Sequence, residues 1–388
     1  MKTYLLMKVL MKMCRWRLVL ALGGSLLLAG CGNKETRAAL DKAANFENQK
    51  EYRDANNVLV DALQAREAKI RDEAGTPADS TAADALGKKV QADPEILKME
   101  RAQIPLYIRL ERPDMASAVY ADILSGSPKD TVVYDTLNDK DPIIRAGGVH
   151  ILGLMGTPDA IGALNSAMKD SDQDVRRAAV VALGAIKDPA TIDPLIAALK
   201  DPYWFARSEA AEALGQKHDD RAVAPLLDAV TDSDSTVTGS AQASLVLLCT
   251  PPDAVAKPGD FASHLGDSNQ KIVVTSAICL ALLKDARAVP VLLKMVQSPD
   301  PKTRLDAVKG LGETGDPSVL PTLRQTLKDP DVNMRGWSII GLGNLKDEDS
   351  ILDLQDIALD STQPDSIRTA AVRSVHEIKG ATAEQASP

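Results

Sequence analysis

One arginine keeps returning. Arg145, Arg176 and Arg207 stand 31 residues apart, and the register continues through Thr238, Val273, Arg304, Arg335 and Arg368 in steps of 31, 35, 31, 31 and 33. Three residues after each anchor the side chain is small: Gly148, Ala179, Ala210, Ala241, Ser276, Ala307, Ser338, Ala371. Seven after, it is aliphatic: Leu152, Leu183, Leu214, Leu245, Leu280, Leu311, Leu342, Val375. Self-similarity at a period of this length is the signature of a stacked repeat array.

The spacing predicts two helices per unit. The residue before the anchor (Ile144, Val175, Ile272, Met334), the small residue and the aliphatic one share one helix face. Gly153, Gly184, Gly215, Gly312 and Gly343 follow the aliphatic residue and suit a helix end that needs a left-handed residue. A second apolar run follows, with Pro194, Pro225, Pro290 or Pro321 near its start, where a first helical turn tolerates proline. The arginine lies in a first turn, where the backbone dipole disfavours a cation. Asp141, Asp172, Asp300 and Asp331 stand four residues before an arginine, and they suit helix N-caps that also offer it a counter-charge. A ladder that recurs in every layer reads as structural glue. This holds for Arg145, Arg176, Arg207, Arg304, Arg335 and Arg368.

The run Asp-x-x-x-Arg-x-x-Ala-x-x-x-Leu-Gly resembles the HEAT-like repeats of the phycobilisome-lyase type. The resemblance covers Asp139 to about Gly380, some six full units and a closing helix. It implies an all-α fold, a right-handed α-solenoid of stacked helical hairpins, with second helices on the concave side.

The amino terminus reads as a targeting segment. Lys2, Lys8, Lys12, Arg15 and Arg17 precede an apolar run, Leu18 to Leu28, too short to span a bilayer and fitted to a signal-peptide core. Leu28-Ala29-Gly30-Cys31 resembles a bacterial lipobox, which makes Cys31 the expected lipidation site and acyl chains the membrane anchor. Gly32, by resemblance to Gram-negative lipoproteins, points to the outer membrane facing the periplasm. Of the other cysteines, Cys14 lies in the signal, and Cys249 and Cys279 fall on adjacent units. A disulfide between these two suits an oxidising compartment, but helix axes ~10 Å apart disfavour it.

Between signal and array, 31–135 is read as helical and out of the 31-residue register. Phe46, Tyr52, Ala55, Leu59 and Ala62, and again Tyr107, Ala116, Tyr120, Ile123 and Pro128, resemble tetratricopeptide spacing. Any two antiparallel amphipathic helices fit equally well. The stretch near 71–94, rich in Ala, Asp, Gly and Thr, is expected as a loop or loose helix. The expected organisation is therefore a signal at 1–30, the tetratricopeptide-like region at 31–135, the array at 136–380 and a disordered tail at 381–388. The unit anchored at Thr238 lacks its arginine, is longer, and carries Pro251-Pro252, so a change of curvature or a hinge is expected between Thr238 and Val273.

The search for chemistry returns little. Gly310-Leu-Gly-Glu-Thr-Gly315 matches the dinucleotide fingerprint in letters, yet it closes a helix instead of following a strand. His150, His218, His264 and His376 occupy unrelated register positions. The iron-dependent hydroxylases built on similar repeats need several His-Glu pairs, and His376-Glu377 is the one pair here. No metal spacing or nucleophile elbow is present, and no cofactor is expected. The bilin lyases with this repeat type act in the cytoplasm, which the export signal contradicts. A formal net charge of −9, falling to −14 once the five bases of the signal are removed, argues against nucleic acid.

Surface remains. Tyr203-Trp204-Phe205 is the densest aromatic cluster in a chain only 3% aromatic. The register equivalents of Phe205 are Asp174, Thr236, Lys271, Lys302 and Asn333, and those of Trp337 are Glu209, Ser240 and Asp306. Rings at water-facing positions are favoured interface anchors. The expectation is a non-catalytic, lipid-anchored periplasmic scaffold that binds a protein partner through Tyr203, Trp204, Phe205 and Trp337. The alternative is a lyase-like or cofactor-handling enzyme.

Overall fold

The computed structural model describes residues 32–77, 79–126 and 130–385. The expected signal at 1–30, the lipidation site Cys31 and Pro128 lie outside the described residues, as does 386–388. Among the described residues there is no strand. They divide into two compact units, 32–106 with 122–126, and 107–121 with 130–385.

In the first unit, α1 (Gly32–Asn48), α2 (Tyr52–Ala74), α3 (Ser80–Gln91) and the start of α4 (Pro94–Arg109) pack around Ala55, Leu59, Leu63, Ile96 and Met99. Phe46 and Tyr52 lie half-buried against that core. The stretch near 71–94, expected as a loop or loose helix, is mostly helical. Asp79 caps α3 by accepting from the Ala82 amide, and Leu86 and Val90, one turn apart, are buried. Two apolar side chains among Ala, Thr and Gly give too faint a periodicity to read.

The second unit continues through most of α5 (Pro113–Gly126) and α6 (Val132–Thr136) into seven layers, counted from the Arg145 unit. First helices are α7 (Pro142–Met155), α9 (Gln173–Ala185), α11 (Trp204–Lys217), α13 (Ser235–Cys249), α15 (Gln270–Leu282), α17 (Pro301–Glu313) and α19 (Val332–Asn344). They alternate with shorter second helices: α8 (Ile161–Ala167), α10 (Ile192–Ala198), α12 (Val223–Ala229), α14 (Gly259–Ala262), α16 (Ala288–Met295), α18 (Leu320–Thr326) and α20 (Ile351–Leu359). The closing helix α21 (Asp365–Gln385) runs into the stretch expected as a disordered tail. The repeating aliphatic residue fills the core of every layer; Leu183, Leu214, Leu245, Leu280, Leu311 and Leu342 have no exposed surface. Each such burial is worth about 1.5–3 kcal/mol.

The repeat glycines do a different job from the expected one. Gly153, Gly184, Gly215, Gly312 and Gly343 lie inside their helices, and each faces a residue of the next layer. A Cβ would come within 2.7 Å of Ala182 at Gly153, within 2.5 Å of Ser244 at Gly215 and within 2.7 Å of the Gly341 Cα at Gly312. Close approach of neighbouring first helices is what excludes a side chain there. The left-handed helix ends fall eleven residues past the anchor in five layers, at Gly156, His218, Lys284, Gly315 and Lys346.

The interlock fails at the joint that follows layer four, and in layer five Ala281 stands in the glycine's place. Val246 takes the glycine position of layer four and is 36% exposed. The chain from Thr250 to Pro258 forms no helix, and α14 is a single turn that buries Phe261. Cys249 and Cys279, on α13 and α15 either side of this joint, are both fully buried and unbonded.

Candidate functional site

The arginine ladder sets the scaffold. The expected N-cap aspartates take orphan amides: Asp141 from Ile143, Asp172 from Asp174 and Val175, Asp300 from Thr303, Asp331 from Asn333. The counter-charge comes from elsewhere. Arg145 Nε donates to Asp170 at 2.7 Å, Arg176 to Asp201 at 2.8 Å and Arg207 to Asp232 at 2.7 Å, and each aspartate lies in the next layer, two residues before the capping position. The Nη1 of the same arginines donates back to two carbonyls of its own loop, Asp170 and Ser171 in the case of Arg176. Each of these three residues thus pins its own loop and the next. Among the N-cap aspartates, only Asp141 meets an arginine, Arg109, at 3.3 Å.

Later layers loosen this link. Arg304 donates to the Ser298 and Pro299 carbonyls. Arg335 does the same with Asp329 and Pro330, reaches Gln363 Oε1 at 3.3 Å, and keeps a buried Nε without a partner. Arg368 bonds Asp365, and its Nε too is buried and unpartnered. At Thr238 the hydroxyl accepts from Lys271 Nζ at 3.4 Å. Asp267, the register equivalent of Asp232, has His264 at 3.9 Å.

The aromatic triplet sits at the start of α11. Tyr203 occupies the N-cap position that holds Asp or Asn in the other six layers, and its side chain caps nothing. Losing a capping oxygen costs about 1 kcal/mol. Trp204 is 40% exposed, with its ring 5.2 Å from that of Phe205. Phe205 is half-buried, edge-on to Tyr203 at 6.2 Å, and carries the Arg177 guanidinium of the preceding layer over its ring at 5.0 Å. The triplet is therefore a rigid ledge with the indole outermost. Trp337, on α19, is 36% exposed, and Lys309 of the preceding layer lies over it at 5.1 Å. The structure places the two aromatic sites four layers apart and does not bring them together.

Around the ledge lie residues that the sequence reading missed. Glu209 and Glu212 follow Phe205 on the same face of α11. Burial, and then the charge of Glu212, push the Glu209 carboxyl above its usual range. Glu212 accepts from Ser240 Oγ at 2.9 Å. On Trp337's side, burial pushes the Asp306 carboxyl up against the pull of Lys309. The i, i+4 step from Phe205 to Glu209 was visible in the sequence; that Glu209 and Asp306 are half-buried was not.

No group of three or more His, Cys, Asp and Glu side chains among the described residues is placed to hold a metal ion. The recess between α8 and α10 is lined by Ser166, Lys169, Asp193, Pro194, Lys200 and Asp201. Ser166 Oγ donates to the Gly162 carbonyl, so no base activates it there. No described helix is long and apolar enough to cross a membrane.

The family description "HEAT repeats" matches residues 131–215, 192–257, 260–323 and 289–376. No curated protein matches the chain. Among solved structures, Kap95p with RanGDP is similar over 91% of this chain and 54% of that one, at 12% identity and a TM-score of 0.57. Importin beta is similar over the same shares, at 14% identity and a TM-score of 0.56. The chain thus spans about half the length of either. The CpcE and CpcF complex of phycocyanin lyase from Nostoc sp. matches 64% of this chain and 93% of that one, at 20% identity and a TM-score of 0.32. At these identities the likeness is one of fold.

Proposed function

The chain belongs to the HEAT-repeat family, and from that premise we propose that it is a non-catalytic scaffold, moored to a membrane by acyl chains on Cys31, that holds a protein partner on its layered surface. The tether and the lipobox at Leu28-Ala29-Gly30-Cys31 support a periplasmic face of the outer membrane as its location. One observation carries the partner reading. At Tyr203 the array gives up a helix cap that its other layers keep, and gains an outward-facing indole beside it at Trp204. A feature that costs stability and exposes a large ring suits recognition better than packing.

The test is a photo-crosslinking amino acid at position 204 in cells, beside a Trp204→Ala chain. A crosslinked protein, lost from the wild-type complex on Trp204→Ala with helicity unchanged, is the expected result. Loss of helicity in Trp204→Ala would place the ring in the fold instead. Cys31→Ala should release the chain from the membrane fraction; retention there would remove the tether from this reading.

A further inference from the structure

The ledge lies in an acidic stretch. Residues 201–267 hold eleven acidic side chains against four basic ones, whereas 271–330 hold nine basic against six acidic. The four bases of the acidic stretch are already engaged. Arg207 is bound to Asp232, Arg221 to Asp219, and Lys257 to Asp220. Lys217 Nζ donates to the Leu183 and Ile186 carbonyls. Neither Glu209 nor Glu212 forms a salt bridge among the described residues; Arg177, over the Phe205 ring, pulls the Glu209 carboxyl down without offsetting its burial and the charge of Glu212. Two like charges one turn apart on a helix, Glu209 half-buried and Glu212 exposed, repel each other. Such a pair is relieved by an incoming cation, and the exposed Trp204 indole, 5.2 Å from the Phe205 ring that shares their helix face, offers that cation a π face.

We infer that the occupant of the ledge is a basic segment of a partner protein, with an arginine or lysine laid against Trp204 and its charged head directed to Glu209 and Glu212. This rests on Trp204 being a partner contact. Aromatic contact area comes from Trp204 and Phe205, and charge complementarity selects the partner's sign. A basic segment would also be drawn in by the surplus carboxylates of layers three and four, an attraction that salt screens.

The test uses the full chain and two short peptides, one rich in arginine and leucine, the other with glutamate for each arginine, read by titration calorimetry. The basic peptide is expected to bind saturably and to weaken as salt rises. The Glu209→Gln/Glu212→Gln double variant and Trp204→Ala should each weaken it about tenfold, or ~1.4 kcal/mol, with unchanged circular dichroism. Equal binding by the double variant overturns the inference. Binding of the acidic peptide that depends on Trp204 overturns the cationic partner and leaves the ledge a contact. If neither peptide binds, the segment crosslinked from position 204 in cells decides: lysine or arginine at the crosslink supports the inference, and their absence there overturns it. No crosslink at all overturns both this inference and the reading beneath it.

Discussion

Gly312 and Gly341 meet backbone to backbone across two layers: a Cβ on Gly312 would lie 2.7 Å from the Gly341 Cα. Alanine is the better helix former by roughly 1 kcal/mol in a free helix. Here contact must win over propensity. Gly312→Ala should lower stability by about 1–3 kcal/mol, because two helices have to move apart. Gly239, inside α13 with nothing within 4 Å of its missing Cβ, is the control. Gly239→Ala should raise stability by about 0.5–1 kcal/mol. Urea midpoints of the two variants, moving in opposite directions, check both statements.

The ladder gives the array an acid limit. Asp170 and Asp232 are held below the usual carboxylate range, first by their hydrogen bonds to Arg145 and Arg207. A carboxyl whose folded value is depressed stabilises fully above its unfolded value, and loses that contribution as pH falls through the folded one. Thermal midpoints should therefore be flat through neutral pH and drop below about pH 4. Asp170→Asn should lower the neutral-pH midpoint and shrink the acid drop. An unchanged drop in that variant would assign it to other carboxylates.

At the fourth layer the arginine can be restored. Thr238 is buried next to the loop that an arginine there would bond, and Asp267 stands at the register position that receives Arg207's partner in the layer before. Thr238→Arg should stabilise by about 1 kcal/mol. Adding Asp267→Asn should cancel the gain, and a double-mutant cycle reads the coupling directly.

The two thiols of this joint report its opening. Burial first, and then a hydrogen bond with Cys249, push the Cys279 thiol well above its usual range. Thiolate is the reacting form, so alkylation of the folded chain at pH 8 should be slow at both cysteines. It should accelerate together with local opening of α13 from α15. Fast labelling in the native state would mean that the joint is not closed in solution.

The period made the array legible before any coordinates, because every layer repeats the same small, aliphatic and charged positions. What it left open were pairs of identical residues a few positions apart. Asp170 and Asp172 are both aspartates flanking one loop; the sequence suggested the second as counter-ion, and geometry gives the role to the first. Gly153 and Gly156 are likewise three apart. Only the second is left-handed, and the first is small because Ala182 stands against it. Exposure of Trp337 was readable from its polar equivalents; the polar equivalents of Phe205 pointed to water too, but Phe205 is half-buried and its neighbour Trp204 is the exposed ring. The acids near these rings were not readable, since a glutamate on a helix reads as solvated until its surroundings are known.

Layers that touch only their neighbours transmit a pull or a twist no further than their poorest fastening. Between layers four and five, Val246 replaces the interlocking glycine and a lysine-to-threonine hydrogen bond replaces the arginine clamp. Tension applied to the closing helix would be shed there, and the four layers joined by the three arginine clamps, the indole among them, would keep their shape while the rest gives way.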